Sequence, residues 1–319
     1  MPPVVGYVGT DVPVELLTAA GVTPLRLTGD PARVGGAGEE YLGRGVDPVA
    51  VSILNRLLSH DFPVDRVLVS HDCEASLRLF YALRELRRLE PSAGLPEPYL
   101  VDVLHLPHRT TTAYNRVRLR ELRERLGAWY GPVTDGAVAD AVALHDERRR
   151  LLAELRPRLT GVEAFAMAAG GPVPPATVHG GAVSPATVHG GRRVFLTGSS
   201  HDTPHVYVAL EDAGYLVVGE DHSPVLPPGG STVDDLAERY QYNGPAASWS
   251  PIAARAAHTA AAARACGAEL VIAYARRNDG GPAWDFPAQR AALAAVGIPA
   301  VLVKNQEYGS IAVPVGSAA

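Results

Sequence analysis

The sequence reads as an α/β chain of two parallel-sheet units with a helical insert between them. Three observations carry that expectation. Residues 1–109 alternate short apolar β-rich runs with amphipathic helical runs; residues 192–319 repeat the alternation; residues 110–169 hold long helical patterns with no strand. Such alternation builds a parallel sheet, because each strand must return to the same edge through a crossover. A length of 319 residues suits two domains with sizeable cores.

The elements follow in order. "PVVGYVG" predicts a first strand, and "VPVELLTAAG" a helix stopped by Gly21. "TPLRLTG" is a second strand. Residues 47–59 predict a helix with Asp47 at the N-cap and Pro48 in its first turn. "DRVLVSHDC" is a strand running into a turn, "EASLRLFYALRELRRL" an amphipathic helix, and "PYLVDVLHLP" another strand. "AYNRVRLRELRERLGAWYG" and "DGAVADAVALHDERRRLLAELRPRL" predict two long antiparallel helices. Residues 170–191 form a Gly/Pro-rich linker that repeats "PATVHGG" at 175–181 and 185–191. Its composition argues against a packed core. His179 and His189 are metal candidates there, against the plainer reading of a duplicated loop. The second unit runs "RRVFLTG" strand, "TPHVYVALEDAG" helix, "YLVVGED" strand and an Ala-rich helix containing Cys266. "AELVIAYA" strand, "WDFPAQRAALAAVG" helix and "IPAVLVK" strand complete it.

Composition narrows the function classes. Hydrophobic residues make up 47% and charged residues 20%, with a net charge of −5, so nucleic-acid binding is not favoured. No run is long and apolar enough for a membrane span, and the N-terminus lacks signal-peptide character. Cys73 and Cys266 form no CxxC pair or disulfide framework, which fits a cytoplasmic location. The arginines of "NRVRLRELRERL" read as the wet side of a helix or as a contact for coenzyme A phosphates. Tyr240, Tyr242 and Trp249 suggest core or interface packing. "EDHSPVLPPGG" is either a substrate-covering loop or an ordinary surface loop.

Five segments, in this order, resemble the 2-hydroxyacyl-CoA dehydratase and benzoyl-CoA reductase family: "GTDVPVELLTAAGVTPLRLTG", "VLVSHDCEASLRLF", the two long helical segments, "RVFLTGSSHDTPHVYVALEDAGYLVVGED" and "VIAYARRNDGGPAWDFPAQRAALAAVGIPAVLVKNQEYG". The resemblance spans nearly the whole chain. It implies two flavodoxin-like (Rossmann-like) units, paired homologous subunits, coenzyme A thioester substrates and an iron–sulfur cluster held by three thiolates per subunit. On this chain the ligand positions fall on Cys73, Ser199 and Asn278. Only one is a thiolate donor, so the resemblance implies a degraded cluster site.

The strand ends "SHDC" (70–73), "SSHD" (199–202) and "RRND" (276–279) lie where ligands collect in open parallel sheets, which points to a cleft between the halves. Several chemistries remain open there. In a lyase, His71 or His201 would serve as acid or base, oriented by Asp202 or Asp279, with Ser199 binding an anionic oxygen. Ser200, Arg277 and Asn278 would join Cys73 in holding a cofactor. The plainer reading makes Asp202 or Thr203 a helix N-cap, places Pro204 in the first turn and turns His201 to solvent. A zinc or iron ion on His71 and Cys73, completed by Asp279 or His201, is a second chemistry. A nucleophilic Ser199, Ser200 or Cys73 is a third, though no G-x-S-x-G elbow is present. A non-catalytic partner subunit is the fourth reading. The leading expectation is a lyase without a resident cofactor. An iron–sulfur cluster or single metal at Cys73 is the alternative, and a homo- or heterodimer is expected because the second unit's edge lacks a closing helix.

Overall fold

In the computed structural model, residues 2–170, 190–222, 226–242, 244 and 250–314 are described. The PATVHGG repeat with His179 and His189, and Trp249, lie outside them. The chain divides into two compact units, Met1–Arg148 with Val225–Gly244, and Arg149–Pro224 with Pro245–Ala319.

The first unit holds a four-stranded parallel sheet of β1 (Val4–Val8), β2 (Thr23–Arg26), β3 (Arg66–Ser70) and β4 (Glu97–Val101), in the order β2-β1-β3-β4. Its helices are α1 (Val14–Ala19), α2 (Gly36–Leu42), α3 (Pro48–Leu58), α4 (Glu74–Leu89), α5 (Arg109–Tyr130) and α6 (Asp135–Leu155), the last running across the boundary between the units. Successive strand residues face opposite sides of a sheet. Leu68 therefore joins one core with Val5, Leu16, Leu119 and Leu122. Its neighbours Val67 and Val69 join the other, with Leu54, Leu79 and Leu83. Burial on both faces is why β3 is a continuous apolar run. The expected cap of α3 is present, with the Asp47 carboxylate accepting from the Val49 N–H at 2.9 Å.

The second unit repeats the plan. Strands β5 (Arg192–Gly198), β6 (Tyr215–Glu220), β7 (Leu270–Arg276) and β8 (Ala300–Gln306) are parallel, in the order β6-β5-β7-β8. Its helices include α7 (Gly161–Ala168) and α8 (His205–Asp212). The short helix α9 (Val233–Gln241) follows in the chain but belongs to the first unit; α10 (Ile252–Ala265) and α11 (Gly281–Ala295) return to the second. Val194 and Leu196 pack with Ile272 and Tyr274 on one face. Phe195 and Val271 pack with Leu216, Ala263 and Leu293 on the other.

Three local expectations are corrected. The long helices α5 and α6 do not form a hairpin of their own: α5 packs along α9. Its leucines Leu119, Leu122 and Leu126 cover the first sheet, so sheet burial claims the face a hairpin would need. Tyr240 of α9 is buried in that core, and its hydroxyl donates to Val12 O at 3.1 Å and Glu15 Oε2 at 2.9 Å. Helix α8 starts at His205 with Pro204 as its N-cap residue and no side-chain cap, because Asp202 is engaged elsewhere. Helix α10 ends at Ala265, and Cys266 is its C-cap residue, with Sγ 3.3 Å from Ala263 O. Among the described residues, no helix is long and apolar enough to cross a membrane.

Candidate functional site

In both units the chain order reverses beside the first strand, which places a topological switch point at the carboxyl ends of β1 and β3 and of β5 and β7. The predicted site residues sit on the loops leaving these strands, and each edge is described by itself.

At the first edge, Gly9 follows β1 with φ +92°, and an added Cβ would stand 2.5 Å from Ser70 Cβ and 2.6 Å from Asp72 Oδ2. That close approach lets Thr10 donate to Asp72 Oδ2 from its N–H (2.8 Å) and its hydroxyl (3.2 Å). Cys73 opens α4 as its N-cap, with Sγ 3.5 Å from the Ser76 N–H and 3.3 Å from its hydroxyl. The residue is exposed, but its sulfur is tucked against the helix end. That shielding, with the neighbouring Asp72 carboxylate, pushes the thiol up to about 11.

His71 has a partner that sequence reasoning did not supply. Its Nδ1 lies 2.9 Å from Asp102 Oδ1, just past β4, and Tyr114 of α5 donates its hydroxyl to Asp102 Oδ2 at 2.5 Å. The partial burial of Asp102 works against its charge, but the Tyr114 and His71 hydrogen bonds outweigh that and lower the carboxyl. Burial and the adjoining carboxylate raise the Tyr114 hydroxyl to about 12. The His71 side chain is 40% exposed, so the oriented imidazole remains reachable.

A second acid–imidazole pair lies on the same edge. Asp11 is buried, and its Oδ2 is 2.9 Å from His105 Nε2. Burial dominates and pushes the Asp11 carboxyl up to about 6, against the His105 contact and aided by Asp72. A folded-state value above the unfolded one of 3.8 means the native protein holds this proton more tightly. Stability is then fullest below pH 4 and falls as pH rises through 6, by an amount on the order of 3 kcal/mol. Urea unfolding between pH 4 and 7 is expected to show this fall in the wild type and to lose it in Asp11→Asn. An identical pH dependence in the two proteins would refute the assignment.

The second edge is a set of staples. Ser199 is buried; its hydroxyl donates to Asp279 Oδ2 at 2.6 Å and accepts from the Arg276 N–H at 3.0 Å. Those bonds tie the end of β5 to the end of β7, so Ser199 does not present a spare hydroxyl to an anion. Asn278 sits in the left-handed region at φ +67° and shapes the turn before Asp279. Arg276 is buried and donates to Ser200 O at 2.8 Å, while Arg277 is exposed and paired with Glu307 at 2.6 Å. Asp202 accepts from the Tyr308 hydroxyl at 3.0 Å on each oxygen.

His201 does not face solvent. It is 9% exposed, packed edge-on to His222 with ring centroids 4.8 Å apart, and flanked by Tyr207 and Tyr274. Burial and then the His222 ring hold its pKa well below the usual imidazole range, so it is neutral. A neutral buried imidazole is a hydrogen-bonding group rather than a ready proton donor. Beyond it, Asp221 accepts from the Thr259 hydroxyl at 2.5 Å, and Gln289 donates to Thr259 and Thr197. Among the described residues, His201 Nε2, His222 Nε2 and Asp221 Oδ1 are buried without hydrogen-bond partners, and His222 Nδ1 stands 3.7 Å from Glu220 Oε2.

The structure thus brings His71 and Cys73 onto one loop and joins Ser199 directly to Asp279. It gives His201, Asp202 and Arg277 separate partners. Among the described residues, no group of three or more His, Cys, Asp or Glu side chains is placed to hold a metal ion. Asp11, Asp102, His105 and Tyr114 were not singled out from the sequence, and Glu220–His222 was read only as the start of a loop. Asp11 carried a usable signal, since it follows a predicted strand; Asp102 lay inside the predicted strand "PYLVDVLHLP", and Tyr114 carried none. No curated protein matches the chain. A family model described as 2-hydroxyglutaryl-CoA dehydratase, D-component, matches residues 10–305, nearly the whole chain, and its span takes in both switch-point edges. With two parallel sheets of the same strand order and the segments at 9–29, 67–80 and 193–221 in place, the chain belongs to the 2-hydroxyglutaryl-CoA dehydratase D-component family.

Proposed function

We propose that the chain is a dehydratase-type lyase that handles protons through His71 and acts on a small carboxylate or acyl substrate, a coenzyme A thioester being the acyl form. One observation carries the reading: a reachable imidazole at a switch point, its Nδ1 held by Asp102, which is itself held by Tyr114. This arrangement leaves Nε2 to meet the substrate. Nε2 takes a proton from the carbon beside the acyl carbonyl, and the C–H electron pair becomes the new double bond. The hydroxyl leaves from the adjacent carbon with its own bonding pair, and the imidazolium returns the proton, so water departs. The Asp102 carboxylate stabilises the imidazolium in between.

The cluster that relatives hold does not fit the donors of this chain. Ser199 has its hydroxyl hydrogen committed to Asp279 and its oxygen engaged by the Arg276 N–H. Asn278 offers an amide in place of a thiolate, which leaves Cys73 as the single thiol at the three positions. Iron–sulfur assembly requires soft anionic donors, and the proposed elimination moves no electrons to or from the protein. The same stapling of Ser199 favours a second reading, a non-catalytic subunit that pairs with a homologous chain in a dehydratase or reductase complex.

Anaerobic purification followed by iron and sulfide assay, and by incubation with small 3-hydroxyacyl-CoA thioesters, whose hydroxyl sits on the carbon that this step requires, tests both. The expected outcome is substoichiometric iron and water loss by the chain alone, lowered at least about 100-fold in His71→Gln. Turnover that appears only when a homologous subunit is added selects the second reading. Near-stoichiometric iron and sulfide, lost in Cys73→Ala, would overturn the cluster-free reading.

A further inference from the structure

A cavity of about 450 Å³ opens in the second unit, away from its switch point. Arg193 reaches it from the start of β5, Cys266 from the end of α10 and Arg156 from the turn after α6; Ala153, Val218 and Ala265 supply apolar wall. Its volume falls in the range of small-ligand sites, and so does its lining, mostly apolar with a few fixed polar groups.

The two guanidiniums are held rigidly by backbone. Arg156 donates from Nη1 to Leu159 O at 3.2 Å and from Nη2 to Val217 O at 2.9 Å. Arg193 donates from Nε to Gly267 O at 2.9 Å and from Nη2 to Cys266 O. Among the described residues neither makes an ion pair, unlike Arg239 with Asp146 or Arg255 with Asp285. The carboxylates whose charge acts on Arg156 direct their hydrogen bonds to other donors: Glu220 accepts from the Tyr207 hydroxyl, and Glu211 from the Gly161 N–H at 2.6 Å. Burial lowers the Arg156 pKa, and the Glu220 and Glu211 charges offset only part of that. Each guanidinium has five N–H donors, and carbonyls take two on each. Two pre-positioned cations in an apolar-walled cavity favour an anionic head joined to an apolar body, because fixed donors spare the ordering cost of binding.

We propose that the Arg156–Arg193 cavity is a binding site for a short-chain carboxylate, its head on the two guanidiniums and its tail along the alanine wall. The site is independent of the lyase reading, since it lies at the opposite end of β5 and uses none of the residues assigned to proton transfer.

Titration of hexanoate into the full chain by calorimetry, with alkylation of Cys266 by iodoacetamide followed at peptide level, tests the site. Saturable binding that slows Cys266 alkylation while leaving Cys73 unchanged is expected. Hexanamide, which lacks the charge, should bind at least about tenfold more weakly, as should hexanoate to Arg156→Gln or Arg193→Gln. Hexyl phosphate is the second arm: tighter binding than hexanoate would transfer the site to phosphate heads and overturn the carboxylate. Either arginine variant can unfold, so Ala153→Phe, an exposed position on the cavity wall, gives the deciding block. Equal binding of hexanamide, unprotected Cys266 at saturation, or undiminished binding to Ala153→Phe would each sink the proposal.

Discussion

Gly198→Ala is expected to cost more than about 3 kcal/mol of folding stability, from a left-handed backbone forced on a non-glycine residue and a collision with the neighbouring strand. Gly198 ends β5 at φ +109°, and an added Cβ would stand 2.1 Å from Tyr274 O and 3.0 Å from its carbonyl carbon. That oxygen has little freedom to retreat, because it accepts the Ser199 N–H at 2.8 Å and belongs to the buried strand β7. Gly297 is the control. It has φ +76° and nothing within 4 Å of an added Cβ, so Gly297→Ala carries only the dihedral cost of about 1–2 kcal/mol. Urea midpoints for the two variants separate the contributions: equal losses would show that contact with Tyr274 adds nothing. Loss of the Gly198 turn should also loosen the Ser199–Asp279 staple, since both hang on the same approach of β5 to β7.

The elements were legible because each has a local cause. Asp47 before Pro48 starts α3, Gly21 ends the turn after α1, and the unbroken apolar runs of β3 and β7 signal strands buried on both faces. Partners were not legible, because strand order is a tertiary fact. β4 lies beside β3 with Ser70 opposite Val101, so the next residues, His71 and Asp102, leave the sheet together although 31 positions apart. β7 lies beside β5 with Gly198 opposite Tyr274, which delivers Asp279 to Ser199 across 80 positions. His201 looked like a solvent residue for the same reason: β6 and β7 bring His222 and Tyr274 against it. Helix α9 was invisible as part of the first unit, since only packing on α5 and the reach of Tyr240 to Val12 and Glu15 put it there. The family resemblance survived because it rests on the order of segments around the switch points, which neither partner choice nor ligand loss disturbs.

Asp102→Asn is the substitution expected to damage turnover most for the least structural change. The carboxylate now accepts on both oxygens, from His71 Nδ1 and from the Tyr114 hydroxyl. An amide offers one acceptor and one donor group. If its oxygen faces His71, its NH₂ meets the Tyr114 hydroxyl, which must then rotate and accept. If it flips, the NH₂ meets Nδ1, and the imidazole must carry its proton on Nε2, the nitrogen that the proposed elimination needs as a base. Either orientation also removes the negative charge beside the imidazolium. Loss of an oriented general base costs about 10²–10⁴-fold in rate. Because neither His71 nor Asp102 touches the substrate's apolar body in this scheme, the loss should fall on kcat and leave KM nearly unchanged. The pair is partly exposed, so unfolding stability should change by less than about 1 kcal/mol. Tyr114→Phe removes one of the two bonds to Asp102 and keeps the charge, so its effect on kcat should be about tenfold or less. A chain with Asp102→Asn that keeps kcat within about threefold of the wild type would remove His71 from the chemistry and leave the partner-subunit reading in its place.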